Sequence, residues 1–222
     1  MKKFLNVLFS ICISIVIIVG VINFTVGFKQ LYYFDIDYLN ISELSGLSKD
    51  DIKLNYDYLI DYNLNKNVSE FKLPTLKSSP QGKIHFEEVR NIFQNINKLA
   101  KLLLVVSLVG IILSVKNKNI KILKTTSITL IIMPLLLTVP ILLNFEKSFI
   151  IFHKLLFRND YWIFNPDLDP VINILPEEFF FHSGMMILIL ILLVSILLFV
   201  MYKLCKSLSI VSYTHLTLPT KA

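Results

Sequence analysis

Four long apolar stretches recur along the chain, separated by windows rich in charged and aromatic side chains. Each stretch is close to the roughly 20 apolar residues with which an α-helix crosses the hydrocarbon core of a bilayer. None of them contains an acidic residue, and lysine occurs only near their edges. The stretches cover residues 4–27, 99–115, 125–143 and 184–202. This pattern predicts an all-α membrane protein built on a bundle of four transmembrane helices.

The charged residues predict which side of the membrane each window faces. All 16 acidic residues lie in the windows 28–98 and 145–183, whereas lysine alone supplies the charge of the loop 116–124. Lysine accumulates in cytoplasmic loops, so this loop and both termini are predicted to be cytoplasmic and both acidic windows extracytoplasmic. The net charge of +6 follows from this topology and does not indicate nucleic-acid binding. A lipid-binding patch is the second interpretation of the lysine-rich loop.

The predicted organisation follows from these boundaries. The first transmembrane helix, in residues 1–27, is predicted to be retained, because its apolar core exceeds the about 7–15 residues of a signal peptide. Residues 211–222, VSYTHLTLPTKA, break with the preceding composition and are predicted to be a non-native tail, so His215 is assigned no role. The other parts are a larger extracytoplasmic region in 28–98, the second and third transmembrane helices in 99–144, a smaller extracytoplasmic region in 145–183 and the fourth transmembrane helix in 184–206.

The larger acidic window carries signals for two helices. Ser48, followed by acidic residues, predicts a helix N-terminus, and a stripe at helical spacing follows it. A second helix is predicted to begin after Gly82 and to run into the second transmembrane stretch, with His85 on its apolar face. Residues 71–73 between them are predicted to form a short strand. The stripe consists of Ile52, Tyr56, Leu59, Ile60 and Asn63.

The tyrosines of this window are predicted to form an aromatic belt. Tyrosine rings with a polar tip accumulate at the level of the lipid headgroups. Six of them lie close together in the window: Tyr32, Tyr33, Tyr38, Tyr56, Tyr58 and Tyr62.

Histidine is the candidate residue for acid–base chemistry, because its unperturbed pKa of about 6.5 lies nearest neutrality. His85 and His153 fall in different acidic windows, each near a membrane edge. A helix bundle can bring them together, and we expect both to lie at one shared cavity; a structural role for each is the alternative. The windows contain no cysteine, and the chain has no G-x-S-x-G or P-loop motif. These absences argue against a cysteine nucleophile, a serine hydrolase and an NTPase.

A metal site is a further chemical hypothesis. Asp167 and Asp169, together with the two histidines, offer ligands that divalent ions accept. The prolines that flank the two aspartates instead indicate a turn in which aspartate binds backbone groups. No HExxH or other compact ligand set occurs in the sequence, so the turn is the favoured interpretation. Trp162, the one tryptophan, is typical of an interface anchor.

Three motifs of the acidic windows form a specific combination. The first is His85-Phe86-Glu87-Glu88-Val89-Arg90, and the second is Phe152-His153 with Phe157. The third is Trp162-Ile163-Phe164-Asn165-Pro166-Asp167, followed by Leu175-Pro176-Glu177-Glu178-Phe179-Phe180. Their order and spacing resemble the lipoprotein intramolecular transacylase (Lit) family of four-span bacterial membrane enzymes, over nearly the whole chain short of the tail. Glu88 and Arg90 replace the Asp and Lys of the family's H-x-x-D-V-K motif but keep their charges.

The resemblance implies a reaction. The substrate is a diacylglyceryl-modified lipoprotein with a free N-terminal cysteine amine. The family moves the sn-2 acyl chain from the glycerol oxygen to that amine and leaves a lyso-form N-acyl lipoprotein, with no cofactor. The implied location is the bacterial cytoplasmic membrane with the active site at its outer face, so the lipoprotein and the lipid bilayer are the expected partners.

The resemblance also implies residue roles. His85 is the implied general base, and His153 either stabilises the oxyanion or protonates the leaving glycerol oxygen. Supporting or substrate-binding roles are implied for Glu88, Trp162, Asp167, Asp169 and Glu178.

Two other functions stay open from the sequence. In the first, the chain is a non-enzymatic membrane sensor or assembly partner with an extracytoplasmic cap, and His85 and His153 pack or sense pH. In the second, it is a metalloenzyme that uses both histidines and the aspartate pair.

Overall fold

The computed structural model describes the backbone of residues 3–65 and 67–217, and the side chains of 136–142 and 209–217 fall outside that description. Every regular element among the described residues is a helix, which confirms the predicted all-α class. In chain order the elements are α1 Lys3–Gly27, α2 Lys29–Tyr38, α3 Ile41–Ser45, α4 Lys49–Leu64, α5 Pro80–Lys116, α6 Lys121–Leu143, α7 Phe145–Leu156, a 3₁₀ helix Pro170–Ile174 and α8 Glu177–Thr217.

Three of the described helices are long and apolar enough to cross a membrane: α1, α5 and the part Glu177–Leu208 of α8. They contain the first, second and fourth predicted stretches. The third stretch lies in the 23-residue α6, where several side chains are outside the description, so the four-span count stays a prediction. The predicted non-native tail, 211–222, also lies outside it, apart from the backbone through Thr217.

The chain divides into two compact units that differ in charge. The first, here called the basic unit, comprises Met1–Val19, Leu99–Leu136 and Leu188–Ala222 and contains no Asp or Glu. The second, here called the acidic unit, comprises Gly20–Lys98 and Leu137–Ile187 and holds all 16 acidic residues. Both candidate histidines belong to the acidic unit.

Hydroxyl side chains connect the helices of the basic unit. Ser14 Oγ of α1 lies 2.6 Å from Thr129 Oγ1 of α6. Ser127 Oγ of α6 lies 3.0 Å from Ser195 Oγ of α8. In an apolar environment, small side chains and hydrogen bonds of this kind replace the hydrophobic effect as the source of helix association.

Aromatic rings form the core of the acidic unit. Tyr32 of α2 and Tyr56 of α4 stack with ring centroids 3.6 Å apart, and the Tyr32 hydroxyl donates to the Ile174 carbonyl oxygen at 2.5 Å. Tyr62 is buried too, whereas Tyr38 is 63% exposed. The predicted aromatic belt is therefore wrong for the three buried tyrosines. The window is long enough to form a hydrophobic core of its own. Packing the large rings against each other in that core stabilises the fold more than placing them at the lipid headgroups would.

Helix α4 forms as its sequence predicts, but the short strand does not. Ser48 Oγ accepts the N–H of Asp51 at 3.1 Å, and all five residues of the predicted stripe are buried. Phe71 and Leu73 are buried in the same core, yet their segment pairs with no strand in the described part of the chain. An extended segment can bury alternate apolar side chains without a hydrogen-bonded neighbour, so the pattern alone was misleading.

Helix α5 begins at Pro80, earlier than the predicted start after Gly82. Ser79 is its cap: the Ser79 hydroxyl accepts the N–H of Gly82 at 2.9 Å. The Ser79 N–H donates to Asp169 Oδ1 at 2.7 Å. Proline suits the first helical position because the N–H it lacks would have no partner there, and a carboxylate suits the positive helix N-terminus. Asp169 thus fixes the start of the helix that carries His85.

Alanine at Gly82 is expected to lower the free energy of unfolding by about 1–3 kcal/mol through crowding. A Cβ at this position would lie 2.2 Å from Asp169 Oδ1 and 2.9 Å from Asp169 Cγ, so it displaces the carboxylate that caps α5. Gly184→Ala is the matched control, because a Cβ at that helical glycine meets no atom within 4 Å. Thermal unfolding in detergent measures both variants, and equal Tm values would contradict the crowding at Asp169.

Candidate active site

Two histidines come together in the acidic unit. His85 lies near the start of α5, ahead of residue 99, where the stretch predicted to cross the membrane begins. His153 lies in the last turn of α7, a helix whose start is fixed by Asn144, which accepts the N–H of Lys147 at 2.8 Å. The ring centroids of the two histidines are 6.2 Å apart, so the rings lie close together, and a cavity shared by both stays a prediction. One substrate group can contact both rings at this separation.

His85 is held in a nearly closed aromatic environment. Only 5% of its surface is exposed, and the centroids of Phe157 and Phe164 lie 4.7 and 5.4 Å from that of its ring. Burial, and secondarily the charge of His153, lowers the pKa of His85 to about 4. Its Nδ1 is buried and meets no hydrogen-bond partner among the described residues. The ring is therefore neutral at pH 7, with one nitrogen that no described residue engages.

The ring of His153 is fixed in one tautomer. It stacks on Trp162, with ring centroids 4.8 Å apart and planes inclined by 29°. Its Nδ1 lies 2.7 Å from the Phe149 carbonyl oxygen. Because a carbonyl oxygen only accepts, Nδ1 carries the hydrogen and Nε2 is the acceptor of the neutral ring. Burial lowers the pKa of His153, and the bond to Phe149 opposes this.

Glu88 follows His85 by one turn of α5 and is half-buried. Its Oε1 accepts the side-chain N–H of Asn159 at 2.9 Å, and its Oε2 is buried with no hydrogen-bond partner in the described part of the chain. Asn159 Oδ1 in turn accepts the N–H of Tyr161 at 3.0 Å, so Asn159 ties the segment after α7 to α5. Asn159 was not predicted from the sequence, because an asparagine among charged residues has the pattern of an ordinary turn residue.

The remaining predicted site residues lie in different places. The indole Nε1 of Trp162 is buried and lacks an acceptor among the described residues. Asp169 caps α5, whereas Asp167 is exposed in a turn in which its own N–H donates to Asn165 Oδ1 at 2.9 Å. Glu178 is exposed in the first turn of α8. None of the described contacts joins Asp167 or Glu178 to either histidine.

The two aspartates considered as metal ligands therefore do different things, one in an exposed turn and one at a helix cap. Within residues 3–65, 67–135 and 143–208, no three or more His, Cys, Asp and Glu side chains are grouped so that they could hold a metal ion.

A third histidine has a partner that the sequence does not reveal. His182 Nδ1 of α8 lies 2.9 Å from Asp35 Oδ1 of α2. Asp35 is fully buried, and its Oδ2 has no hydrogen-bond partner among the described residues. Burial raises the pKa of Asp35, whereas the hydrogen bond and the charge of His182 lower it. His182 therefore stabilises the charged form of this buried carboxylate.

We expect His85 to stay neutral at pH values that protonate an exposed histidine. Its pKa is about 4 in the folded protein and about 6.5 in an unfolded chain, so between these values the folded state binds fewer protons. The stability that neutral His85 contributes is present above pH ~6.5 and is lost as the pH falls towards about 4. NMR of ring-labelled histidine in detergent measures the titration, and the spectrum of His85→Gln assigns the signal. A midpoint near the unfolded value would contradict the burial.

Comparison with known proteins identifies the family. The family model described as "Lipoprotein intramolecular transacylase Lit" matches residues 7–180. The solved structure of the membrane-integral lipoprotein intramolecular transacylase Lit from Bacillus cereus is 43% identical, with 94% of this chain and 97% of that chain covered and a TM-score of 0.90. No protein in the curated set matches significantly.

Two variants of the Bacillus cereus protein, with a histidine replaced by arginine or by alanine, are each 42% identical. Their TM-scores are 0.88 and 0.87, with 96% and 94% of this chain and 95% of each variant covered. The motifs, the fold and these matches agree, so the chain belongs to the lipoprotein intramolecular transacylase (Lit) family of membrane-integral acyltransferases.

Proposed function

We propose that the chain transfers the sn-2 acyl chain of a diacylglyceryl-modified lipoprotein to the amine of that lipoprotein's N-terminal cysteine. The product is a lyso-form N-acyl lipoprotein. The observation that carries this proposal is the pair of neutral imidazoles, His85 and His153, with ring centroids 6.2 Å apart among aromatic side chains. A non-enzymatic sensor has no support from the family, which is a family of enzymes.

The substrate itself supplies both reacting groups. The ester carbonyl and the amine belong to one molecule, so the site has only to hold them in contact, and effective molarities in such reactions are very large. No acyl carrier, nucleotide or metal enters this reaction, and the proposed enzyme uses no cofactor. The rings of Phe157 and Phe164 around His85 exclude water, which would otherwise hydrolyse the ester.

Proton transfer is the step that needs histidine. The cysteine amine, with an unperturbed pKa of about 7.7–8.0, is protonated at neutral pH and must lose a proton before its nitrogen attacks the ester carbon. Neutral His85 is the general base. The C–N bond forms, the C–O bond to glycerol breaks, and the glycerol oxygen takes up a proton. The ammonium loses two protons in becoming an amide: the first passes through His85 to solvent, because an imidazolium with a pKa of about 4 gives up its proton readily, and the second reaches the glycerol oxygen.

Two further residues complete the proposed proton path. His153 offers Nε2 as an acceptor to an N–H of the attacking amine, because its Nδ1 is held by Phe149; once protonated, the same ring donates to the glycerol oxygen. Trp162 has a buried indole N–H without an acceptor and can only donate. We assign this N–H to the ester carbonyl oxygen, on which negative charge develops during attack.

Three more residues support the site in this proposal. Glu88 has a buried carboxylate oxygen without a partner among the described residues, and we assign it to orient the substrate ammonium. Asp169 holds the start of α5, and thereby His85, through Ser79. We assign supporting roles to Asp167, which lies in an exposed turn, and to Glu178, which is exposed in the first turn of α8.

The proposed location is the outer face of the bacterial cytoplasmic membrane. The chain crosses the membrane four times, in residues 1–27, twice in 99–144, and in 184–206. Both termini are cytoplasmic, and regions 28–98 and 145–183 form an extracytoplasmic cap. Lysines without acidic neighbours at one set of helix ends support this orientation. The acyl chains of the substrate stay in the lipid while the reacting groups reach the cap.

Mass spectrometry of a lipoprotein's N-terminal lipopeptide tests the proposal. The chain is co-expressed with the lipoprotein in a host that has no N-acylation of its own, beside the empty vector. The expected product is an N-acyl cysteine with a glycerol that has lost its sn-2 chain. The diacyl form with a free amine, found despite confirmed membrane expression of the chain, would refute the proposed reaction.

A further inference from the structure

A groove opens on the basic unit between α6 and α8. Its volume is about 430 Å³. The five lining residues that belong to α6 follow each other at alternating intervals of three positions and one position, so they form one face of that helix. None of the lining residues belongs to the acidic unit, which holds the candidate active site. The groove is lined by Lys121, Lys124, Thr125, Ile128, Thr129 and Tyr202.

The groove is positively charged, and the basic unit provides no counter-charge. Lys121 and Lys124 supply the charge, while the unit contains no Asp or Glu. No ion pair among the described residues includes either lysine. The anion that neutralises these ammonium groups therefore has to come from outside the basic unit.

The threonine hydroxyls of the groove are already engaged within the protein. Thr125 Oγ1 accepts the side-chain N–H of Asn6 at 2.8 Å and donates to the Lys121 carbonyl oxygen at 3.0 Å. Thr129 Oγ1 donates to the Thr125 carbonyl oxygen at 3.0 Å. The groups left to meet a ligand are the two ammonium groups and the hydroxyl of half-buried Tyr202, and all of them can donate hydrogen bonds.

We propose that this groove binds an anionic phospholipid. Its phosphate lies between Lys121 and Lys124, within reach of the Tyr202 hydroxyl, and an acyl chain lies along Ile128. The side chain of Ile128 is 42% exposed, so the groove has an apolar wall beside its charged part. A free phosphate ion gains nothing from such a wall, and a zwitterionic lipid adds a cation that the lysines repel. An anionic headgroup joined to an acyl chain matches both parts of the groove.

Lysine also marks cytoplasmic loops in general, so the test compares lysines inside and outside the groove. One double variant carries Lys121→Gln and Lys124→Gln. The matched control carries Lys116→Gln and Lys118→Gln, which remove the same charge from the same loop at exposed positions that do not line the groove. Native mass spectrometry counts the phosphatidylglycerol and phosphatidylcholine molecules that each purified protein retains, and titration with phosphatidylglycerol in detergent gives the affinity.

The wild type and the control are expected to retain phosphatidylglycerol in preference to phosphatidylcholine. The groove variant is expected to bind phosphatidylglycerol about tenfold or more weakly, because each lysine near an anionic headgroup adds to the binding affinity through charge attraction. An equal loss in both variants would overturn the proposal in favour of general attraction to the loop, and no loss in either would overturn it outright. The titration is repeated in the presence of inorganic phosphate. If inorganic phosphate displaces all of the phosphatidylglycerol, the groove is a site for a free anion and not for a lipid.

Discussion

Alanine at His85 or at His153 is expected to lower kcat for acyl transfer by about 10²–10⁴-fold, the usual contribution of general acid–base catalysis. The double variant is expected to be about as slow as the slower single variant. Both rings act on one proton path, and residues that act as a unit have effects that do not add. Rates come from mass spectrometry of the product formed from a diacylglyceryl peptide by purified protein in detergent.

The control for these variants is Glu87→Gln. Glu87 is exposed on the same helix as His85 and has no role in the proposed mechanism, so its kcat is expected to stay within about twofold of the wild type. Thermal unfolding of each variant separates a loss of chemistry from a loss of fold. If the two single losses multiply in the double variant, the histidines act in separate steps, and the shared proton path is wrong.

Alanine at His182 is expected to lower the free energy of unfolding by about 1–3 kcal/mol, because it leaves a buried carboxylate without its hydrogen bond. Asp35 is fully buried, whereas the side chain of His182 is 29% exposed, so the loss is smaller than for a fully enclosed pair. Adding Asp35→Asn to His182→Ala is expected to restore part of the stability, because the neutral amide costs less to bury. Thermal and denaturant unfolding in detergent give the values.

An exposed ion pair on the same helix provides the comparison. Lys49 contacts Asp37 of α2, with side chains 56% and 64% exposed. Lys49→Gln is expected to cost at most about 1 kcal/mol, the upper range for surface pairs. If His182→Ala lowers the free energy of unfolding no more than Lys49→Gln does, the burial of Asp35 does not make its pair with His182 stronger than an exposed ion pair.

The parts of the fold that could be predicted depend on local signals. Hydropathy over a window finds α1 and the apolar parts of α5 and α8, because crossing a bilayer requires a long apolar helix. Ser48 with acids after it marks the start of α4, because a cap acts within one turn. The two histidines belonged to recognisable motifs, and their proximity follows from the fold that those motifs imply.

The parts that were missed depend on contacts between distant positions. Asp169 caps α5 across 90 positions, and His182 meets Asp35 across 147. Neither pairing has a local pattern, because the partner is chosen by the folded core. The many tyrosines of α2 and α4 are typical of an aromatic belt at a membrane surface. Three of them are buried instead, because the two helices share a core that is large enough to enclose their rings. Asn159, in the segment after α7, was missed for the same reason, since its partner Glu88 lies 71 positions away on α5.

The single tryptophan of the chain is Trp162, and its indole stacks on the ring of His153. Tryptophan emission from this protein therefore comes from one position beside a proposed catalytic ring. A protonated imidazole in contact with an excited indole quenches its light emission much more than a neutral imidazole does. Fluorescence of the unlabelled protein thus reports the charge on His153, in detergent or in a bilayer, and the enzyme carries its own optical reporter of proton transfer.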